Sequence, residues 1–190
     1  MTDWPFAPLV PLSYSMLFID PPWSFALYSA KGQRKSAQAH YQCMPTADIA
    51  ALPVGQLAAP DAVLMLWTTA PMLPVAFGVM SGWGFRYVSM GVWHKRTKHR
   101  KTAFGTGYRL RSACEPFLLG VIGNPQTSRS HRNLIEGEVR RHSQKPEEAY
   151  LWAETYLPYA RRAELFARQH RHGWAAWGDE ASKFDERPAA

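Results

Sequence analysis

The chain has 190 residues, 46% hydrophobic and 19% charged, with a formal net charge of +7 and a pI near 9.6. This is one domain's worth of chain with enough apolar residues for a sizeable core, so disorder is not the default, and the positive balance favours a polyanionic partner. The two cysteines, Cys43 and Cys114, form no CxxC pair, which argues against a disulfide scaffold or a structural zinc site and fits a reducing compartment.

Residues 1–14 are rich in proline and aromatics and predict an irregular lead-in. The apolar run Ser15 to Ile19 predicts a buried strand, with Asp20 at its carboxyl end, where open α/β sheets place their working residues. Pro21 and Pro22 then fix φ twice and remove two backbone donors, so the turn is stiff and offers carbonyl acceptors; Trp23 follows it. Residues 24–45 have no hydrophobic period. They predict a loop beside that turn, a flap carrying Tyr28, His40 and Tyr41. Thr46 reads as the N-cap of a short helix.

Ala62–Thr69 is strongly apolar, as expected of a strand buried on both faces. A helix is predicted from Pro71 to about Ser81, ended by Gly82, and a strand over Phe85–Trp93. The next eight residues, His94 to Lys101, contain five lysines or arginines, and Phe104 to Arg111 interleaves aromatics, glycines and cations. Hanging between two strands, this segment predicts a nucleic-acid-binding loop, with Lys95, Arg96, Lys98, Arg100 and Arg109 as phosphate contacts. A solvated charged surface is the plainer alternative.

Ala113–Gly123 predicts another strand, with Glu115 the lone acid in it. Asn124–Gly137 is read as a loop. Pro146-Glu147-Glu148 opens a helix running to about Tyr156, and Lys145 precedes its anion-friendly end. Glu164–Ala167 and Trp174–Trp177 predict the last strands, and the polar tail beyond Asp179 is expected to fray. Alternating strands and helices make this an α/β, doubly wound, Rossmann-like sheet. Nothing at the N-terminus reads as a leader and no run is long enough to span a membrane, so a soluble, cytoplasmic protein is expected. No ligand spacing predicts a metal.

A carboxylate, adjacent carbonyls and an aromatic ring suit a planar group that carries an amine. Asp20 and the Pro21 carbonyl can accept the two hydrogens of such an amine, pulling its lone pair out of conjugation, while Trp23 or Tyr28 holds the ring flat. Asp20-Pro21-Pro22-Trp23 is also where the chain resembles a known family, the DPPW class of S-adenosylmethionine-dependent adenine-N6 methyltransferases. That group includes the catalytic subunit of the eukaryotic mRNA adenosine methyltransferase and small bacterial and phage enzymes. Later segments follow the family's order: Val63 to Thr69, Cys114-Glu115-Pro116-Phe117, Glu138 to Pro146, and Glu164-Leu165-Phe166 with Trp177-Gly178.

The resemblance implies a permuted order, with the catalytic motif first and the cofactor strand near the C-terminus. It implies S-adenosylmethionine as cofactor, contacted by Asp20, Lys145, Arg168 and His170. Asp179 and Glu180 fall where the family commonly has Asn with Glu or Gln, so Asp179 is a departure. Glu115 takes an active-site position on the same pattern, and the flap borders the acceptor pocket. DNA is the favoured polymer and RNA the near alternative. A non-catalytic nucleic-acid-binding subunit is a third reading, and a homodimer or a partner subunit stays open.

Overall fold

The structure, a computed structural model, describes residues 4–24, 43–107, 109–141 and 143–185. Tyr28 and the flap predicted around it lie outside the described residues. Among the described residues seven strands form one sheet: β1 (Tyr14–Ile19), β2 (Ala58–Trp67), β3 (Arg86–Arg96), β4 (Cys114–Ile122), β5 (Leu134–Glu138), β6 (Arg162–Leu165) and β7 (Trp174–Trp177). Their order is β5-β3-β4-β2-β1-β6-β7, and β4 alone pairs antiparallel with its neighbours. Among the described residues three α-helices accompany them: α1 (Thr46–Ala51), α2 (Leu73–Gly82) and α3 (Glu147–Tyr156).

Side chains alternate along the central strands, and each face has its own cover. Leu17, Ile19, Leu64 and Leu66 pack with Ile49 of α1 and Ala76, Val79 and Met80 of α2. Met16, Phe18, Val63, Met65 and Trp67 pack with Ala149, Tyr150 and Ala153 of α3. Burial on both faces is why Met16 to Ile19 of β1 and Ala62 to Trp67 of β2 read as unbroken apolar runs. This is the α/β, Rossmann-like architecture expected.

Consecutive strands step from β1 to β2 on one side, whereas the chain returns through α3 to place β6 on the other. The strand order therefore reverses at β1, and a crevice opens outside the carboxyl ends of β1 and β6. Asp20 lies at one lip and Phe166 at the other. The C-terminal position of β6 and β7 beside β1 is the permuted order anticipated from the sequence.

Several boundaries differ from expectation. β3 continues three residues beyond Trp93, so His94, Lys95 and Arg96 belong to the sheet rather than to the basic loop. β5 was expected as loop: its core-facing residues are only Ile135 and Gly137, too sparse a pattern to stand out. Thr46 begins α1 itself, Pro45 occupies the cap position, and no side chain caps the helix. The lead-in is tied down as well. Phe6 and Leu9 are buried, and the Trp177 indole N–H donates to the Pro5 carbonyl at 3.0 Å. Residues 180–185, expected to fray, fold back onto the β6–β7 loop, where the Phe184 N–H donates to the Arg168 carbonyl at 2.9 Å.

Candidate active site

The Asp-Pro-Pro turn leaves β1 with both proline carbonyls engaged. Pro21 O accepts the Trp23 N–H at 2.8 Å and Pro22 O accepts the Met44 N–H at 2.9 Å, leaving each one lone pair for a further donor. Trp23 does not offer its ring to a base. It is 4% exposed, packs in the α1–α2 face of the core, and donates its indole N–H to the Trp67 carbonyl at 3.0 Å. This corrects the expectation of a stacking role: a large ring satisfied at its only polar atom is drawn into the core. In that place it clamps the turn to the end of β2.

Lys145 reaches Asp20 from the loop between β5 and α3. Gly137 makes the approach feasible, because a Cβ there would stand 2.5 Å from the Pro146 Cβ. The Lys145 ammonium donates to Asp20 Oδ2 and lies 2.9 Å from Glu115 Oε1. Glu115 Oε2 in turn lies 2.6 Å from Lys95 Nζ. Four buried or half-buried charges thus alternate in sign. Burial pushes the Asp20 carboxyl above its ordinary value, with Lys145 opposing and Glu115 reinforcing the rise. Glu115 is buried too, but its two lysines outweigh that and hold it at about 2. Burial would lower Lys145; the two carboxylates raise it instead, so it stays charged.

A narrow cleft lies beside Asp20, bordered by Lys145, Tyr150, Glu164, Phe166 and Arg168. Glu164 was not singled out from the sequence. It is 5% exposed, next to Phe18 across the β1–β6 pairing and beneath α3. Tyr150 Oη donates to Glu164 Oε1 at 2.8 Å, whereas Glu164 Oε2 is buried with no partner among the described residues. Burial lifts this carboxyl to about 7. The signal in the sequence was an acid in the middle of the short buried strand Ala163-Glu164-Leu165.

Arg168 borders the cleft and pairs with Glu180. His170 and Asp179 do not border it. The His170 ring is largely exposed and lies against Asp185, and Asp179 is exposed. The basic set divides. Lys95 and Arg96 face carboxylates, Arg96 at 2.6 Å from Glu136. Lys98 and Arg100 are exposed and have no carboxylate partner among the described residues, and Arg109 is exposed.

The model of the MT-A70 family matches residues 14–180. The chain belongs to the MT-A70 family. Among similar proteins is "N(6)-adenosine-methyltransferase MT-A70-like" of Arabidopsis thaliana, 29% identical over 88% of this chain and 24% of that protein. The type II methyltransferase M.MunI of a Mycoplasma species is 28% identical over 88% of this chain and 77% of its own length. The human "N(6)-adenosine-methyltransferase catalytic subunit METTL3" is 27% identical over 88% of this chain and 28% of that protein. The chain thus spans about a quarter of the plant and human relatives.

MT-A70 methyltransferases use S-adenosylmethionine as methyl donor, and the side chains around the cleft carry groups that complement it. The orphaned Glu164 oxygen is an acceptor that a hydroxyl or ammonium would satisfy. Lys145 and Arg168 are cations suited to its carboxylate, and Phe166 and Tyr150 supply apolar walls. Among the described residues no helix is long and apolar enough to cross a membrane.

Proposed function

We propose that this MT-A70 domain transfers the methyl group of S-adenosylmethionine to the exocyclic N6 of adenine in DNA. The observation that carries the reading is the placement of Asp20: a desolvated carboxylate on a rigid turn at the reversal point of the sheet, one oxygen fixed by Lys145. Held there, its carboxylate and the Pro21 carbonyl accept the two amine hydrogens and turn the N6 lone pair out of the ring plane. The cofactor supplies the electrophilic methyl group. The protein's part is alignment, and fixing two reactants for in-line displacement is worth roughly 7–11 kcal/mol.

Lys145, Arg168 and Glu164 are the residues that would hold the cofactor in this reading, with Glu180 holding Arg168; His170 and Asp179, assigned to the cofactor by the resemblance, lie outside the cleft and would have to move to reach it. Lys98, Arg100 and Arg109 would meet the phosphates. DNA is supported by the type II methyltransferase among the relatives, and the exposed cations Lys98 and Arg100 suit a phosphate backbone. RNA is the second reading, supported by the relatives named for adenosine.

The test is methyl transfer to duplex DNA, single-stranded DNA and RNA, read by nucleoside digestion and mass analysis, with Asp20→Ala alongside. N6-methyladenine that disappears in the variant supports the reaction and the residue together. The best polymer decides between DNA and RNA. Cofactor binding without product on any polymer would overturn autonomous catalysis in favour of a partner-dependent subunit.

A further inference from the structure

Lys95 stands apart from the other cations of its segment. It belongs to β3, where its N–H donates to the Ala113 carbonyl at 2.9 Å, and Trp93 two residues earlier is paired with Glu115 of β4. That antiparallel register sets Lys95 and Glu115 on neighbouring strands, and the ammonium rests 4.8 Å from the centre of the Trp93 ring. Its side chain is 25% exposed and that of Glu115 is 17% exposed, against 6% for Lys145 and 21% for Asp20. The four groups form the sequence Lys95, Glu115, Lys145, Asp20, each within salt-bridge distance of the next, and their formal charges cancel.

We infer that Lys95 is a positioning residue for methyl transfer: it holds Glu115, Glu115 then shares Lys145 without drawing it away, and Lys145 stays on Asp20. This rests on the reading of Asp20 as the acceptor of the amine hydrogens. The argument is charge counting in a poorly solvated place. Without Lys95, two desolvated carboxylates compete for the single ammonium of Lys145, and the cluster carries a net charge of −1. Lys145 then moves toward Glu115, or a carboxylate takes up a proton.

The surroundings of Asp20 set the direction. Burial and Glu115 raise its proton affinity, and Lys145 and Arg168 lower it. Glu164 on β6 and Tyr150 on α3 face it from the other side and add no positive charge. His94 and Arg96, on either side of Lys95, are turned to Glu136. No other cation among those named reaches Glu115, so loss of Lys95 falls on Lys145 and through it on Asp20. A carboxylate that must be ionised to accept hydrogens then fails at a higher pH.

The experiment compares Lys95→Met and Lys95→Arg with the parent chain, on the polymer that serves best as substrate. Single-turnover methyl transfer is followed against pH, and nucleic-acid affinity against salt. In Lys95→Met the acid limb of the rate profile moves up by about one pH unit, in Lys95→Arg it returns, and the salt slope is unchanged in both. Glu115→Gln moves the limb down, and the double variant Lys95→Met/Glu115→Gln lies near the parent, which guards against a Lys95→Met protein that folds poorly. An unmoved limb with a salt slope smaller by about one overturns the inference and makes Lys95 a phosphate ligand. If Asp20→Ala still forms product, the reading of the site has failed instead; if Asp20→Ala is dead and the Lys95→Met limb is unmoved, only the positioning role has failed.

Discussion

The Tyr150 hydroxyl donates to Glu164 at 2.8 Å, and the other oxygen of that carboxylate is buried without a partner among the described residues. A buried carboxyl half satisfied in this way favours its neutral form, and burial lifts Glu164 from 4.5 to about 7. The folded-state value exceeds the unfolded one, so folding favours the protonated group. Its stabilisation is fully present below 4.5 and is lost as pH rises through about 7. The loss amounts to about 3 kcal/mol. Glu164→Gln keeps an acceptor for Tyr150 and cannot ionise. Its denaturation midpoint should therefore exceed the parent's on the alkaline side of 7 and change less with pH, as urea titrations at several pH values would show.

Trp23 should matter to stability. Its indole is 4% exposed and donates to the Trp67 carbonyl at 3.0 Å. Trp23→Phe keeps most of the apolar contact and leaves that carbonyl one donor short, a cost of about 1 kcal/mol. Trp23→Ala opens a cavity in the α1–α2 face and costs about 3–5 kcal/mol. Chemical denaturation checks both. Base stacking as the main role of this ring would instead show as a stable Trp23→Ala protein with lost activity.

What the sequence disclosed, and what it hid, follows from how local each signal is. The Asp20 turn was legible because strand, acid and two prolines act on adjacent residues. β1, β2 and α3 were legible because burial on both sheet faces and an acidic first turn leave contiguous marks. β5 was hidden because an edge strand of five residues shows little periodicity. Trp23 was misread because an aromatic beside a reactive turn looks the same whether its face meets a ligand or the core. The chain Lys95, Glu115, Lys145, Asp20 joins residues separated by up to 125 positions, and only the pairing of β3 with β4 reveals it. Glu164 carried a usable sign, an acid within a buried strand, but its orphaned oxygen needed the sheet to be seen.

The cations at the tip of the basic segment should behave differently from Lys95. Lys98 and Arg100 are exposed in the turn between Thr97 and Lys101, where the Thr97 N–H donates to the Lys101 carbonyl at 2.8 Å. Each phosphate contact contributes about 0.9 to the slope of log affinity against log salt on duplex DNA. The double variant Lys98→Ala/Arg100→Ala should flatten that slope by about two and leave cofactor affinity and the pH–rate profile unchanged. Fluorescence anisotropy with a labelled duplex at several salt concentrations measures the slope. An unchanged slope would make the tip a solvated surface.

The C-terminal segment engages His170, a residue that the family resemblance assigns to the cofactor. Asp185 accepts the His170 N–H at 2.7 Å, and its second oxygen lies 2.8 Å from His170 Nδ1. The histidine holds the Asp185 carboxyl below its ordinary value, as expected of a carboxylate that receives two hydrogen bonds. The family pattern implies that His170 contacts the cofactor; if that contact is to the carboxylate of the cofactor's amino-acid end, the Asp185 carboxylate occupies that role in the free protein and must give way. Asp185→Asn weakens the competitor without removing the side chain. Affinity for S-adenosylmethionine should then rise about two- to fivefold, the range set by an exposed ion pair. Affinity for 5′-methylthioadenosine, which lacks the amino-acid end, should stay the same. Calorimetry with both ligands separates the cases: a gain for both points to a general loosening of residues 180–185, and a gain for neither leaves the His170–Asp185 pair a surface contact remote from the cofactor.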